Sequence, residues 1–271
     1  MTDHYAVIGN PIAHSKSPLI HTEFAKQTAQ AMDYQAILAP LDDFAGTVQG
    51  LIKQGYKGIN VTVPFKFAAF ALASQHSARA MAAGAANTLS FTEQGILADN
   101  TDGAGLVRDI QDNQHCSFAG KRVLLIGAGG AAEGVLQPIL AAHPSLLVIS
   151  NRSLNKAQAM LNKVIPSQTQ LHACAFADLA EQAFDIVINA TSAGLDGSPL
   201  AIPDSVFAPH CLAYDMLYGR ETPFMQQAQR CGAKVADGLG MLVEQAAEAF
   251  AIWRGVRPST QTLLVKLRNA A

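Results

Sequence analysis

The chain has 271 residues, 49% hydrophobic and 15% charged, and its 19 basic against 21 acidic side chains give a net charge of -2. That is enough apolar material for one large domain or two modest ones. A near-neutral chain without a basic run gives no electrostatic reason to expect nucleic acid or an anionic membrane as partner.

In chain order, residues 5–8, 34–38 and 58–63 read as strands, with helical patterns over 18–31 and 41–54 between them. Ser17-Pro18 predicts a helix start, with a hydroxyl N-cap and proline at the first helical position. This β-α-β-α-β opening implies parallel strands covered by helices. In the stretch INVTVPFK (59–66), Ile59, Val61 and Val63 share one face of a strand. Asn60, Thr62 and, past the proline, Lys66 fall on the other. Pro64 removes a ladder donor and helps end the pairing. Residues 86–91 and 95–98 read as two short strands, joined as a hairpin across 92–94.

A helical pattern over 101–110 leads into the polar stretch 111–120, the best linker candidate. A second β/α series follows, with strands at 122–126, 146–150, 171–176, 185–189, 212–216 and 234–236. Helical patterns at 131–141 and 154–164 lie within it, and helices at 239–254 and 259–269 follow it.

The strand at 122–126 runs directly into Gly127-Ala128-Gly129-Gly130-Ala131-Ala132, and a helix follows. A glycine turn between strand and helix lets backbone N–H groups approach a pyrophosphate at the positive helix end. Glycine clusters also make ordinary tight turns; here the context on both sides points to a dinucleotide. An NAD site places a carboxylate about 20 residues on, at the end of the next strand, to hold the ribose hydroxyl. This chain has Asn151-Arg152-Ser153 there, with Lys156 beyond. A guanidinium fork with extra donors suits a 2′-phosphate, and hence NADP. The plainer alternative is a Ser153 helix cap beside a surface arginine.

Polar clusters in the first half fall at strand ends, where parallel sheets bind ligands: HSKSP (14–18), INVTVPFK, ANTL (86–89) and NTDG (100–103). Singly each has a structural explanation, such as Ser17 capping a helix, Asn87 in a turn or Asp102 opening a helix. Together they suit a small molecule bearing several hydroxyls and one acid group. Lys66 and Asp102 are the pair suited to move the proton that accompanies a hydride transfer at a carbinol carbon.

These motifs, with GAGGAA (127–132), NRS (151–153) and DGLGMLVEQA (237–246), occur in an order that resembles the NADP-dependent shikimate dehydrogenase family over essentially the whole chain. The resemblance implies reversible reduction of 3-dehydroshikimate to shikimate with NADPH. It implies a two-domain α/β fold with the active site in an interdomain cleft. Residues 1–101, completed by 239–271, would bind substrate, and 102–238 would form a Rossmann-type doubly wound NADP domain. By the same resemblance Ser15 and Ser17 hold the substrate carboxylate. Thr62, Asn87 and Gln245 contact the ring hydroxyls or carboxylate region, with Asn60 close by. Lys66, the acid/base group, and Asp102 flank the reacting hydroxyl, and Tyr218 approaches the substrate from the cofactor side. Gly127, Ala128, Gly129, Gly130 and Ala131 bind the pyrophosphate. Asn151, Arg152, Ser153 and Lys156 surround the 2′-phosphate, and Met216 and Gly238 border the nicotinamide.

The four cysteines, Cys116, Cys174, Cys211 and Cys231, show no metal-ligand spacing, and nothing in the sequence requires a metal. With no basic leader and no apolar run of membrane length, the expectation is a cytoplasmic protein, monomer or homodimer. Three alternatives stay open: an NAD(P)-dependent quinate/shikimate dehydrogenase, a non-catalytic sensor that binds the same ligands, and a different NADP enzyme with a catalytic lysine, such as a methylene-tetrahydrofolate dehydrogenase.

Overall fold

The computed structural model describes residues 2–164, 168–195 and 197–269. The chain divides into two compact units, Met1–Gly105 with Leu242–Ala271, and Leu106–Met241.

The first unit opens with β1 (Asp3–Gly9), α1 (Ser17–Gln27), β2 (Met32–Leu38), α2 (Phe44–Lys53), β3 (Gly58–Val61) and α3 (Lys66–Leu72). A short β4 (Gln75–His76), α4 (Ala78–Ala83), and the hairpin of β5 (Thr88–Thr92) and β6 (Gly95–Asp99) follow. The strands form one mixed sheet in the order β2-β1-β3-β5-β6-β4. β1 is parallel to both its neighbours, whereas β5 is antiparallel to β3 and β6. Alternate side chains of β1 serve opposite faces, as the two-residue strand period requires. Ala6 and Ile8 pack with Val48, Leu51, Ile59 and Phe65; Tyr5 and Val7 pack with Tyr34 and Trp253.

Several boundaries differ from expectation, each for a local reason. Helix α1 is N-capped by Lys16, so Ser17 lies inside its first turn and contributes no side-chain cap. It ends at Gln27 rather than 31, with Ala29 in the left-handed region at φ 51°. Helix α2 starts at Phe44 rather than 41, where the Asp43 carboxylate accepts from the Gly46 N–H at 3.0 Å. Strand β3 stops at Val61, not 63: Pro64 cannot donate, and the Phe65 N–H folds back to the Thr62 carbonyl at 3.0 Å. Val63 is therefore 66% exposed and does not share the buried face of Ile59 and Val61.

Helix α5 (Asp102–Arg108) carries the chain into the second unit. The expected linker at 111–120 lies inside that unit. Residues Asp109–Asn113 continue α5 as a π-helical turn, and Asp109, Ile110, Gln114 and Phe118 are buried. Just before that stretch, Asp109 Oδ2 accepts a buried bond from the Tyr214 hydroxyl at 2.6 Å.

The second unit continues with β7 (Arg122–Ile126), α6 (Gly130–Ala141), β8 (Leu146–Ser150), α7 (Leu154–Leu161) and β9 (Gln170–Cys174). Then come β10 (Phe184–Asn189), β11 (Phe207–Asp215), α8 (Pro223–Arg230) and β12 (Lys234–Ala236). Here α7 and β9 end at Leu161 and Cys174 rather than 164 and 176. The sheet order is β12-β11-β10-β7-β8-β9, with every pairing parallel. Read from β9, this is the doubly wound dinucleotide-binding order, whose strand order reverses at β7. Burial on both faces explains the unbroken apolar runs of β7 and β8.

Helix α9 (Leu239–Arg254) returns the chain to the first unit, where Val243, Ala246, Ala247 and Phe250 are buried, and α10 (Gln261–Asn269) follows. Trp253 of α9 stacks on Tyr5 at 4.7 Å. Among the described residues, no helix is long and apolar enough to cross a membrane.

Candidate active site

Lys66 begins α3 and Asp102 begins α5. The Lys66 ammonium donates to Asp102 Oδ2 at 2.6 Å, and the two side chains are 32% and 16% exposed. The other carboxylate oxygen, Oδ1, accepts from Asn87 Nδ2 at 2.8 Å. The Asp102 N–H is fixed by Asn100 Oδ1 at 3.1 Å, so backbone and side chain are both located.

Asn87 is the hub. Its Oδ1 accepts the Thr101 N–H and the Thr88 hydroxyl, each at 2.9 Å. That pairing turns Nδ2 toward Thr101 Oγ1 at 2.9 Å, Asp102 Oδ1, and Gln245 Oε1 at 3.3 Å. Gln245, on α9, is held from the other end by donating to the Leu242 carbonyl at 2.8 Å. Asn60 stands behind the hub, 6% exposed. Its Nδ2 donates to the Asn87 carbonyl at 3.2 Å and to Thr88 Oγ1 at 3.1 Å, while its Oδ1 accepts the Tyr34 hydroxyl at 2.7 Å.

Ser15 and Ser17 lie together, the Ser17 N–H donating to Ser15 Oγ at 3.3 Å. Ser17 is buried, Ser15 only half so. Thr62 is half-buried, and its methyl sits where a Cβ on Gly9 would come within 2.5 Å. Glycine at position 9 is what leaves Thr62 its place. Hydrogen bonds thus join Asn60, Asn87, Lys66, Asp102 and Gln245 into one cluster and pair Ser15 with Ser17. They do not tie the Thr62 side chain to either group.

In the second unit, β7 gives way to a turn with Gly127 at φ 114°, a conformation that favours glycine. A Cβ on Gly127 would also meet the Ala190 backbone at 3.2 Å. Gly129 and Gly130 are exposed, and a Cβ on Gly129 would meet nothing within 4 Å. Helix α6 then starts at Gly130 with no side-chain cap, so Ala128 in the turn and Ala131 in the first helical turn stand at an open, positive helix end. These residues fit a pyrophosphate. At the end of β8, Arg152, Ser153 and Lys156 are exposed, and Asn151 Nδ2 donates to the Ser153 carbonyl at 3.0 Å. Ser153 occupies the N-cap of α7 without a capping bond. This donor set, with no carboxylate among it, fits a phosphate monoester.

Met216 and Gly238 follow β11 and β12. The Gly238 N–H donates to the Leu217 carbonyl at 2.9 Å, and a Cβ on Gly238 would collide with the Met216 carbonyl. The segment carrying Met216 and Tyr218 is braced by buried Asp215, which accepts from Leu217 N–H at 3.0 Å, Thr222 Oγ1 at 2.6 Å and Asn189 Nδ2 at 3.1 Å. Burial pushes the Asp215 carboxyl above its ordinary range and likewise raises the Tyr218 phenol. Among the described residues, no group of three or more His, Cys, Asp and Glu gathers into a metal site.

Tyr34, Thr88, Asn100, Thr101, Asn189, Asp215 and Thr222 support these sites and were not singled out from sequence. Thr88, Asn100 and Thr101 lie inside the ANTL and NTDG motifs, where a polar residue beside a proposed ligand was the available signal. Tyr34 gave none, because an aromatic in a strand reads as core.

Three family models match in succession: a shikimate dehydrogenase substrate binding domain over residues 7–89, shikimate / quinate 5-dehydrogenase over 109–196, and a shikimate 5′-dehydrogenase C-terminal domain over 238–264. The chain is 59% identical to the NADP(+) shikimate dehydrogenase of Methylobacillus flagellatus, covering 99% of this chain and 100% of that one. It is similar to the solved structure of an Ael1 enzyme from Pseudomonas putida, with TM-score 0.94, 49% identity and 98% of each chain covered. It is also similar to a shikimate 5-dehydrogenase of Thermus thermophilus solved with NADP(H) and shikimate, with TM-score 0.87, 29% identity and 100% of each chain covered.

Proposed function

The chain belongs to the shikimate dehydrogenase family, and we propose from this that it interconverts 3-dehydroshikimate and shikimate with NADPH and NADP+, a step of aromatic amino-acid biosynthesis. The observation that carries the reading is the Lys66–Asp102 pair, with Asn87 fixing one carboxylate oxygen and Gln245 at its flank.

Bound at the residues named below, NADPH would supply a hydride for the substrate carbonyl carbon. Lys66 gives a proton to the oxygen as it becomes a hydroxyl, and in the reverse direction takes it back. Asp102 keeps the ammonium aimed at that oxygen. Ser15 and Ser17 hold the substrate carboxylate with their hydroxyls. Thr62, Asn87 and Gln245 contact the ring hydroxyls or carboxylate region, Asn60 supports Asn87 from behind, and Tyr218 approaches the substrate from the cofactor side. Gly127, Ala128, Gly129, Gly130 and Ala131 receive the pyrophosphate at the start of α6. Asn151, Arg152, Ser153 and Lys156 hold the 2′-phosphate. Met216 and Gly238 border the nicotinamide.

Residues 1–101 with 239–271 serve as the substrate-binding part in this reading, and 102–238 as the NADP-binding part. The reading carries with it a monomer or homodimer. A cytoplasmic location accords with four free thiols.

Initial rates with shikimate or quinate against NADP+ or NAD+ test the reading. Turnover mainly with shikimate and NADP+ is the expected result. Comparable rates with quinate or NAD+ would replace it with a broader-specificity dehydrogenase. Binding of NADP+ without turnover of any pair would replace it with a sensor.

A further inference from the structure

We propose that Tyr34 is a positioning residue for the Lys66–Asp102 pair, its hydroxyl setting the direction of a hydrogen-bond relay through Asn60, Thr88 and Asn87 that ends on the Asp102 carboxylate. The inference rests on the reading of Lys66 and Asp102 given above.

The relay is directional, because each link fixes the next. The Tyr34 hydroxyl has one proton and gives it to Asn60 Oδ1 at 2.7 Å. With that oxygen engaged, Asn60 Nδ2 must face Thr88 Oγ1 at 3.1 Å and the Asn87 carbonyl at 3.2 Å. Thr88, accepting there, spends its own proton on Asn87 Oδ1 at 2.9 Å. Asn87 must then present Nδ2 to Asp102 Oδ1 at 2.8 Å, which leaves Oδ2 for Lys66 at 2.6 Å. An amide rotated the other way would set oxygen against oxygen in a buried place, where an unmade hydrogen bond is costly. The Thr101 N–H on Asn87 Oδ1 is a second restraint, so the relay is not the only hold on Asn87.

Tyr34 is itself held rigidly. Its ring stacks on His21 with centroids 4.1 Å apart and planes 3° from parallel. His21 is fully buried, and neither of its ring nitrogens has a hydrogen-bond partner among the described residues. Burial lowers its pKa to about 3, with the Asn60 amide nearby offsetting only part of this, so the imidazole stacks as a neutral ring. The Ser17 hydroxyl also interacts with the Tyr34 phenol. Tyr34 therefore interacts both with Ser17, a proposed carboxylate ligand, and with the first link of the relay that leads to the proton-transferring pair.

Tyr34→Phe keeps the ring stack and removes only the hydroxyl. Expected is a kcat about 10-fold lower, a shikimate KM within about 3-fold of wild type and an unchanged NADP+ KM. In an Asp102→Asn background the same substitution should cost less than about 2-fold, since a group acting through Asp102 has nothing left to act on. A wild-type kcat for Tyr34→Phe, or an undiminished loss in the Asp102→Asn background, would overturn the proposal. Thr88→Val breaks the same line one link further on and takes the place of Tyr34→Phe if that variant does not fold. Shikimate turnover by the wild type tests the underlying reading separately. Hydrogen exchange of the Asn87 side-chain amide, followed by NMR, probes the relay without turnover: faster exchange in Tyr34→Phe is expected, and an unchanged rate counts against the relay.

Discussion

The ammonium of Lys66 and the carboxylate of Asp102 meet at 2.6 Å, and each residue is the first of its own helix. A helix start favours the anion and disfavours the cation. Asp102 thus stands where the backbone wants a negative charge, and Lys66 stands against that preference, with Asp102 as its compensation. Because both side chains keep contact with solvent, the pair contributes at most about 1 kcal/mol to stability. Lys66→Ala should therefore lower kcat by about 10²-fold or more, with KM for shikimate within a few fold. Its unfolding free energy should change by less than about 1 kcal/mol in urea titrations. A full-strength kcat would remove Lys66 from the chemistry.

Cofactor choice is expected to follow Arg152. It is exposed at the end of β8 and has no ion pair among the described residues, so its charge is available to a ligand. A charge-assisted bond contributes about 1.5–3 kcal/mol, which corresponds to about 10- to 100-fold in affinity. Arg152→Ala should raise the KM for NADP+ by that order and leave the KM for NAD+ nearly unchanged. Equal effects on both would mean the guanidinium does not touch the 2′-phosphate.

His21 gives the fold an acid limit. Its pKa is about 3 in the folded chain against an ordinary 6.5, so the unfolded chain binds the extra proton. The corresponding stability is fully present above 6.5 and is lost as pH falls toward 3. Between pH 7 and pH 5 this one group should cost about 2 kcal/mol, at about 1.4 kcal/mol per pH unit below its unfolded value. His21→Phe keeps an aromatic ring beside Tyr34 and should lose about 2 kcal/mol less than wild type over that interval. Parallel stability losses in the two proteins would show that His21 is not what titrates.

The helix that carries Gln245 is gripped by two arginines. Arg257 bonds Glu244 at 2.7 Å and Glu248 at 2.6 Å, while Arg79 bonds Glu248 and Asp99, both at 2.7 Å. The Glu244 side chain is only 3% exposed, and Thr260 Oγ1 also donates to it at 2.5 Å. Arg257→Met should destabilise the protein by about 2 kcal/mol, below the loss for a fully buried pair because the guanidinium is partly solvated. The KM for shikimate should rise about 3-fold as the Gln245 side of α9 loosens. Lysine at position 257 restores one charge but cannot span both carboxylates, so its rescue should be partial. A shikimate KM unaffected by Arg257→Met would separate this grip from the site.

Much of the architecture was legible because hydrophobic runs and glycine turns are local signals. The strands β7 and β8 and the turn after Ile126 follow from a few consecutive residues each. Misreadings arose where a distant partner decided the outcome. Val63 continued the alternation of its strand on paper, but the turn at Pro64 left it in solvent. The polar run after Ile110 read as a linker, although Asp109 just before it serves Tyr214, a partner a hundred residues away. The candidate site shows the same division. Asn87 and Asp102 stood out as polar residues at strand ends, whereas Tyr34 was one more aromatic in a strand. Its hydroxyl acquires meaning only once β2 and β3 flank β1 and bring Asn60 within 2.7 Å.

The first unit is discontinuous in the chain, and this imposes an order on biosynthesis. Residues 106–241 form a continuous unit and leave the ribosome before Leu242 does. Until α9 emerges, Tyr5 lacks Trp253 as its stacking partner, Phe24 lacks Phe250, and Asn87 lacks Gln245. The nascent first unit must wait, with an apolar surface open, for the time a ribosome takes to add more than a hundred residues, roughly 10 s at about 5–20 residues per second. It is in that interval, rather than in the finished enzyme, that the protein is most exposed to chaperones and to aggregation.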